Sequence, residues 1–236
     1  MGLREKQTTE RRERILDAAR NLIRETAGTD WSMRLLAQKA EVSLATPYNL
    51  FGSKTGVLYA LLNKSLDEVD RATRDFSSAD PIERMLEVAG IAADVYARDP
   101  EFHRPLSQFL LGARDVSHRP EFIARSLERW NRTVQAGIRH GLLPASIPAE
   151  LLARQLMLSF IGALELWIHE EIDDEAFRAQ SLYGATLSLL AYSELTARVR
   201  LVTRVRALEA RLPKELKAPG ELVRGPRNRK RIVATG

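Results

Sequence analysis

The sequence has 236 residues, of which 44% are hydrophobic and 28% are charged, with 13 glycines and 10 prolines. This composition excludes a wholly disordered chain and indicates a globular protein that is large enough to bury a sizeable core. Because cysteine is absent, disulfides, thiolate metal sites and cysteine nucleophiles are excluded together.

The net charge of +5 is concentrated at the C-terminus. From Arg211 to Gly236, eight lysines and arginines outweigh two acidic residues, so the rest of the chain is nearly neutral. The basicity therefore predicts a cationic tail and is not evidence that the folded body binds nucleic acid. The N-terminus has no signal-peptide core, and uninterrupted apolar stretches are shorter than the ~20 residues of a membrane-spanning helix. We therefore expect a cytoplasmic protein with no membrane partner.

Apolar residues recur at helical spacing along the chain, and no alternating stretch is long enough to predict a sheet. In chain order, the pattern predicts a first helix over about 8–26, short second and third helices capped by Ser32 and by Ser43 or Thr46, and a fourth from Ser53 to about Phe76. The fold class is therefore all-α. We expect an N-terminal three-helix helix-turn-helix domain over 1–55, a larger helical domain over 56–212 reached through the long fourth helix, and a basic flexible tail over 213–236.

The second half of the chain contains two strongly apolar segments. Further helices are expected at about 81–98, 101–112, 120–140, 149–171 and 174–210. Within the last two, the stretches LLARQLMLSFIGALELWI and LYGATLSLLAY are apolar nearly all round, which indicates burial on more than one face. We interpret these two helices as a homodimer interface, with small residues such as Gly162 and Gly184 allowing close approach; a wholly intramolecular core is the alternative. The arginine-rich stretch after residue 195 would extend the last helix or lie on an anionic membrane.

The second and third predicted helices form a helix-turn-helix, which is weak evidence alone. With the helix before it, the run from LLAQKAEVS to ATPYNLFGSKTGVL resembles the TetR family of transcriptional regulators over about residues 9–60. The matching motif positions are Thr46, Tyr48, Phe51 and Lys54. Two positions depart from the family pattern: Glu41 stands where Gly is usual, and Pro47 replaces a customary Leu.

The resemblance implies that the protein binds a double-stranded DNA operator as a homodimer. No Lys or Arg lies between Lys39 and Lys54, so the third helix would read base edges while its surroundings hold phosphates. The expected DNA-binding residues are Arg34, Ser43, Leu44, Ala45, Thr46, Tyr48, Asn49 and Lys54, with Arg11, Arg12 and Arg14 as further backbone contacts. Tyr48 and Phe51 could instead be packing residues, and the three arginines an ordinary solvated face.

The resemblance also implies a larger domain that binds a small-molecule effector and releases DNA. An apolar or amphipathic effector would be lined by side chains among Tyr96, Phe102, His103, Phe109, Trp130, Asn131, Phe160 and Trp167. We expect no cofactor, no metal and no enzymatic activity, because the sequence has no zinc-ligand spacing, phosphate-binding glycine loop or nucleophile motif. The acidic run at 170–175 is expected to be a solvated loop in which Asp173 or Asp174 caps a helix. The alternatives are a helical lipid carrier or enzyme, and a peripheral membrane protein.

Overall fold

The computed structural model describes residues 2–214 and 216, and these residues form ten α-helices without a β-strand. The predicted all-α fold class is confirmed. In chain order, the helices are α1 (Leu3–Thr26), α2 (Met33–Lys39), α3 (Ala45–Phe51), α4 (Lys54–Asp75), α5 (Pro81–Ala97), α6 (Pro100–Gly112), α7 (Arg119–Arg139), α8 (Ala149–Ile168), α9 (Asp174–Leu190) and α10 (Leu195–Glu209). The predicted tail lies outside the described residues, apart from residues 213, 214 and 216.

Side-chain caps set four of the ten helix starts in the described residues. The Ser32 hydroxyl accepts the Leu35 N–H at 3.1 Å, and the Ser53 hydroxyl accepts the Gly56 N–H at 3.0 Å, as the sequence predicts. The first helix is longer than predicted, because the segment before residue 8 is rich in good helix formers and continues the helix back to Leu3.

Helices α1 to α4 share one apolar core with α6. Its members include Ile15, Leu22, Leu36 and Leu58 from the first four helices, and Phe102, Leu106 and Leu110 from α6. A second core is formed chiefly by α5, α7, α8 and α9 around Trp130, Phe160, Trp167 and Phe177. Helix α6 therefore joins the N-terminal helices to the body, and the domain boundary at residue 55 stays a prediction.

The prediction of one helix over 174–210 is wrong, because α9 and α10 are separate. Between them, the Ser193 hydroxyl donates to the Leu190 carbonyl at 3.0 Å, and the Glu194 N–H donates to the Leu142 carbonyl at 3.2 Å. These bonds satisfy backbone groups that a continuous helix would have used. Helix α10 folds back on α9 and buries Ala197, Leu201, Val205 and Leu208. It therefore does not extend a dimer helix.

Helix α8 is long and apolar enough, by length and composition, to cross a membrane. Half of its most apolar window is buried against the other helices. The core helix of a soluble protein has the same property. The expectation of no membrane partner therefore stays a prediction.

Candidate nucleic-acid interface and effector cavity

The turn between α2 and α3 is closed by backbone hydrogen bonds. The Glu41 N–H donates to the Gln38 carbonyl at 3.2 Å, and the Val42 N–H donates to the Ala37 carbonyl at 3.0 Å. Glu41 has φ of 53°, which is the left-handed conformation that favours glycine. A non-glycine residue in this conformation is destabilised by about 1–2 kcal/mol, so the turn is strained where the family pattern has Gly.

Helix α3 begins at Ala45, with Leu44 before it, and neither Ser43 nor Thr46 caps it with a side-chain hydrogen bond. Instead the Ser43 and Thr46 hydroxyls lie 2.8 Å apart, and the Thr46 N–H donates to the Ser43 carbonyl at 2.9 Å. Pro47 is the third helical residue, where a backbone N–H has no intrahelical partner in any α-helix. The proline therefore costs α3 no hydrogen bond, although the helix is only 7 residues long.

One face of α3 is open to solvent and carries no charge. Leu44 and Tyr48 are 48% and 47% exposed, and Ala45 and Asn49 beside them are also exposed. The opposite face, with Pro47 and Phe51, is buried against α1, α2 and α4. Phe51 therefore packs in the core, whereas Tyr48 is about half exposed and its contact with DNA stays a prediction. An exposed α-helix of this kind fits a DNA major groove, where hydroxyl, amide and apolar groups distinguish base edges.

Three exposed arginines on α1 and α2 have no charged partner within the described residues. Arg34 on α2 and Arg11 and Arg14 on α1 are exposed, and none makes an ion pair or hydrogen bond with another residue of the described chain. Cations that are not neutralised by a neighbouring carboxylate remain available for phosphate oxygens. Their contact with DNA stays a prediction.

Two predicted phosphate contacts have partners inside the protein. Arg12 Nη1 donates to the Leu50 carbonyl at 3.1 Å, and its guanidinium lies 4.3 Å from the centre of the Phe51 ring. Lys54 Nζ donates to the Thr29 carbonyl at 2.8 Å and lies 5.6 Å from the centre of the Trp31 ring. Both cations therefore connect segments of the N-terminal helices. Lys54 has two further N–H donors, and its contact with a phosphate stays a prediction.

The residues predicted to bind an effector are only partly brought together. Tyr96, Trp130 and Phe160 line an internal cavity of about 50 Å³, and the Phe160 ring centre lies 5.9 Å from each of the other two ring centres. The remaining lining is mostly aliphatic, with Arg119, Ser126 and Arg129 as its polar members. The sequence does not single out these arginines, because surface arginines are common on helices and periodicity does not identify those that turn inward.

The other five predicted effector residues lie outside this cavity. Phe102 packs under the Arg20 guanidinium at 4.5 Å, and Phe109 packs against Tyr59. Trp167 donates from Nε1 to Asp174 at 2.7 Å. Asn131 and His103 do not line the cavity either. Their roles in effector binding stay predictions.

His103 is buried between the two cores. Its Nε2 lies 3.2 Å from the Ser65 hydroxyl, and its ring is stacked 4.8 Å from the Tyr96 ring. Burial, with a contribution from the Arg20 charge, lowers the pKa of His103 to about 4. The imidazole is therefore neutral at pH 7.

A carboxylate links α1 to the start of α6. Asp99 accepts hydrogen bonds from Arg20 Nη2 at 2.8 Å and from Arg24 Nη2 at 2.5 Å. Burial raises the pKa of Asp99, but the hydrogen bonds from Arg24 and Arg20 more than offset it and hold that pKa below its usual value. This cluster is a fixed connection between the N-terminal helices and the body. Both arginines are 75 or more positions from Asp99 in sequence, so no local pattern predicts it.

The acidic run at 170–175 is engaged with its own chain. The Asp173 carboxylate accepts the Ala176 N–H at 2.9 Å and caps α9, as predicted. Glu170 accepts from Arg104 at 2.7 Å. Among residues 2–214 and 216, no group of three or more His, Asp or Glu side chains could hold a metal ion.

Known proteins resemble this chain in sequence and in fold. The HTH-type transcriptional repressor KstR of Rhodococcus jostii (strain RHA1) is 32% identical over 91 residues. That similarity covers 39% of this chain and 43% of the repressor, so it spans less than half of either protein. No protein-family model matches the sequence.

Solved structures share the fold over most of the chain. A putative TetR-family transcriptional regulator from Syntrophomonas wolfei is 23% identical with a TM-score of 0.65, covering 77% of this chain and 96% of that one. SmeT, the repressor of a Stenotrophomonas maltophilia multidrug efflux pump, is 21% identical with a TM-score of 0.60, covering 78% of this chain and 91% of its own. The resemblance that the motif around Thr46 and Lys54 predicts is therefore confirmed, and the chain has the fold of the solved TetR-family regulators.

Proposed function

We propose that the chain is a ligand-responsive, DNA-binding transcriptional regulator of the cytoplasm, without enzymatic activity. It would act as a repressor that leaves a pseudo-palindromic operator when a small-molecule effector binds. The observation that supports this most directly is the neutral, solvent-facing side of α3, where Leu44 and Tyr48 are nearly half exposed. Together with the exposed Ala45 and Asn49, they give this side of the helix-turn-helix the apolar and amide groups that can contact base edges.

The proposed interface divides recognition between two sets of side chains. Thr46 and Asn49 on α3 would hydrogen-bond to base edges, while Leu44 would contact thymine methyl groups. Arg14 and Arg34, which are exposed and unpaired within the described chain, would bind phosphates and supply most of the affinity. A helix without charge can therefore read a polyanion, because its neighbours carry the attraction.

A dimer would place two such helices on one operator. We propose that the outer faces of α8 and α9 form its interface. Large apolar side chains are exposed at Leu151 and Leu158 of α8, at Leu187 of α9 and at Tyr192 just after α9, and these are 59%, 50%, 41% and 41% exposed. A Cβ on Gly162 of α8 would meet no atom within 4 Å, so a partner helix has room to approach there. A two-fold dimer would set its heads about one DNA turn apart, roughly 34 Å.

Gly184 has a different role from the one predicted. A Cβ at this position would lie 2.9 Å from the Ser159 Cβ of α8 in the same chain. The glycine therefore lets α9 pack closely on α8 within one subunit. The proposed interface consequently rests on the exposed apolar side chains and on Gly162.

The test is to mix the purified protein with random genomic fragments, retain the bound ones and sequence them. We expect enrichment of a pseudo-palindrome and a steep decrease in affinity with salt. Fragments without a shared sequence would contradict the proposed function.

Two variants separate the proposed roles on an enriched fragment. Asn49→Ala should relax the preference at one position of each half-site, at a cost of about 1–3 kcal/mol. Arg14→Ala should weaken binding to all sequences and reduce the salt slope by about 1. Arg139→Ala, which removes an exposed arginine at the end of α7, is the matched control and should leave both quantities unchanged. Equal effects of the two arginine variants would refute the assignment to Arg14.

A further inference from the structure

A cleft of about 510 Å³ opens between α4, α5 and α7, next to the internal cavity. Its size is in the range of sites that hold small organic molecules. Its apolar lining includes Phe76, Met85 and Val88. The cleft is therefore large enough for a ligand that the 50 Å³ internal cavity could not hold.

The polar lining of this cleft is mainly cationic. Four arginines, Arg74, Arg84, Arg129 and Arg132, face one carboxylate, that of Asp70. The pairing is weak: Arg129 Nε and Arg132 Nη2 each lie 3.4 Å from Asp70 Oδ1, at the long limit of a hydrogen bond. Within the described chain, Arg74 and Arg84 make no ion pair. The cleft therefore has an excess of positive charge beside an apolar wall.

Arg129 is the buried member of these four arginines, while the other three are exposed. Its side chain is only 8% exposed, and its terminal Nη nitrogens make no hydrogen bond with the described residues. Burial lowers the pKa of Arg129, although the nearby Tyr96 and Asp70 groups oppose that shift. A buried guanidinium is destabilising unless its donors are satisfied, and its two parallel N–H groups match a carboxylate. The structure thus holds a partly desolvated donor pair without an adequate acceptor.

The position of Arg129 connects the cleft with the cavity behind it, because this residue lines both. On α5, Val88 lines the cleft, while Ala92 and Tyr96, one and two turns later, line the cavity. An apolar group lying against Val88 would therefore have a continuous apolar path along α5. The Thr73 hydroxyl in the cleft lining is buried without a partner in the described chain, which gives a second polar contact.

We propose that this cleft binds an organic carboxylate with an apolar body, whose carboxylate group accepts hydrogen bonds from the Arg129 guanidinium. The apolar body lies along the α5 wall at Met85 and Val88. The carboxylate competes with Asp70 for the arginines, so binding loosens the contact between α4 and α7. The identification of this ligand as the effector rests on the proposed function, whereas binding itself does not.

The experiment is calorimetric titration of the full chain without DNA. Hexanoate, octanoate and decanoate are compared with the alcohols of the same chain length, each below its aggregation concentration. We expect at least one acid to bind about tenfold or more tightly than its alcohol, since the hydroxyl is uncharged and accepts a weaker hydrogen bond from the guanidinium than a carboxylate does. Equal affinities of acids and alcohols, or no binding of any acid, would overturn the proposal.

Variants test whether the Arg129 guanidinium binds the carboxylate of the ligand. Arg129→Met should abolish the preference for the acid. Arg125→Met, one turn earlier on α7 and outside the cleft, removes an exposed arginine paired with Asp67 and should retain the preference. Asp70→Asn should tighten binding of the acid severalfold, because it removes the competing carboxylate. Tighter binding cannot result from misfolding, so this variant decides the matter if Arg129→Met does not fold.

Two results with these variants would refute the carboxylate site. A preference for the acid that survives in Arg129→Met, or weaker acid binding in Asp70→Asn, would overturn the proposal. Because no DNA is present, failure of operator binding leaves this result unaffected. Conversely, if the protein binds an operator but no carboxylate, the proposed function stands and only the carboxylate site is refuted.

Discussion

Buried His103 should make the stability of the fold depend on pH between about 4 and 6.5. The ordinary pKa of 6.5 applies in the unfolded chain, while the folded value is about 4. Between these values the unfolded chain binds more protons than the folded one, so stability decreases as the pH decreases. Above pH 6.5 the histidine is neutral in both states and this contribution is fully present.

The size of the effect follows from the two pKa values. The gap from 6.5 to about 4, at about 1.36 kcal/mol for each pH unit, corresponds to about 3 kcal/mol over the whole window. About 2 kcal/mol of this should be lost between pH 7 and pH 5, where most carboxylates are still ionised. That loss is a large share of the roughly 5–15 kcal/mol by which a typical domain is stable.

The assay is urea unfolding of the wild type and of His103→Gln at pH 7 and at pH 5, with the free energy of unfolding extrapolated to water. The variant loses the ring contact with Tyr96 and is expected to be less stable at pH 7. Its disadvantage should shrink by about 2 kcal/mol at pH 5, because it has no group to protonate. His140→Gln replaces an exposed histidine and should keep the wild-type dependence. A His103→Gln protein with the same loss of stability on acidification as the wild type would refute the reasoning.

Three further predictions concern the N-terminal helices. Glu41→Gly should raise the free energy of unfolding by roughly 0.5–1 kcal/mol, because relief of left-handed strain exceeds the entropic cost of glycine; a lower thermal midpoint would contradict this. Lys54→Met should lower the free energy of unfolding by about 1–2 kcal/mol, since the half-buried Thr29 carbonyl loses a charged donor. An unchanged midpoint in urea unfolding would show that this hydrogen bond is not stabilising. Asp99→Asn should lower stability by roughly 2 kcal/mol, between the values for exposed and buried ion pairs, and a double-mutant cycle with Arg24→Met should show coupling.

Much of the helical framework could be predicted because its causes are local. Ser32, Ser53 and Asp173 cap helices through hydrogen bonds to an N–H three residues later, so each signal and its partner lie in one short stretch. The apolar period likewise places Phe51 on a buried face. The motif that includes Thr46 and Tyr48 is also local, which is why the resemblance to the family is visible in the amino-acid sequence alone.

Local sequence patterns do not predict interactions between residues that are far apart in the sequence. The motif predicts a phosphate contact by Lys54 but not its hydrogen bond to a carbonyl 25 residues earlier, nor the bond from Arg12 to the Leu50 carbonyl across 38 residues. The α9–α10 break depends on a carbonyl at Leu142, which no periodicity around residue 194 indicates.

The sequence by itself therefore determined the all-α class, the caps at Ser32, Ser53 and Asp173, and the helix that faces solvent in the helix-turn-helix. Only the tertiary structure decided which aromatic side chains meet at the cavity, and that Arg129 is the arginine turned inward between it and the cleft. The physical reason is the range of the interactions. Capping and amphipathic periodicity act within a few residues, whereas burial and charge pairing depend on segments that only folding brings together.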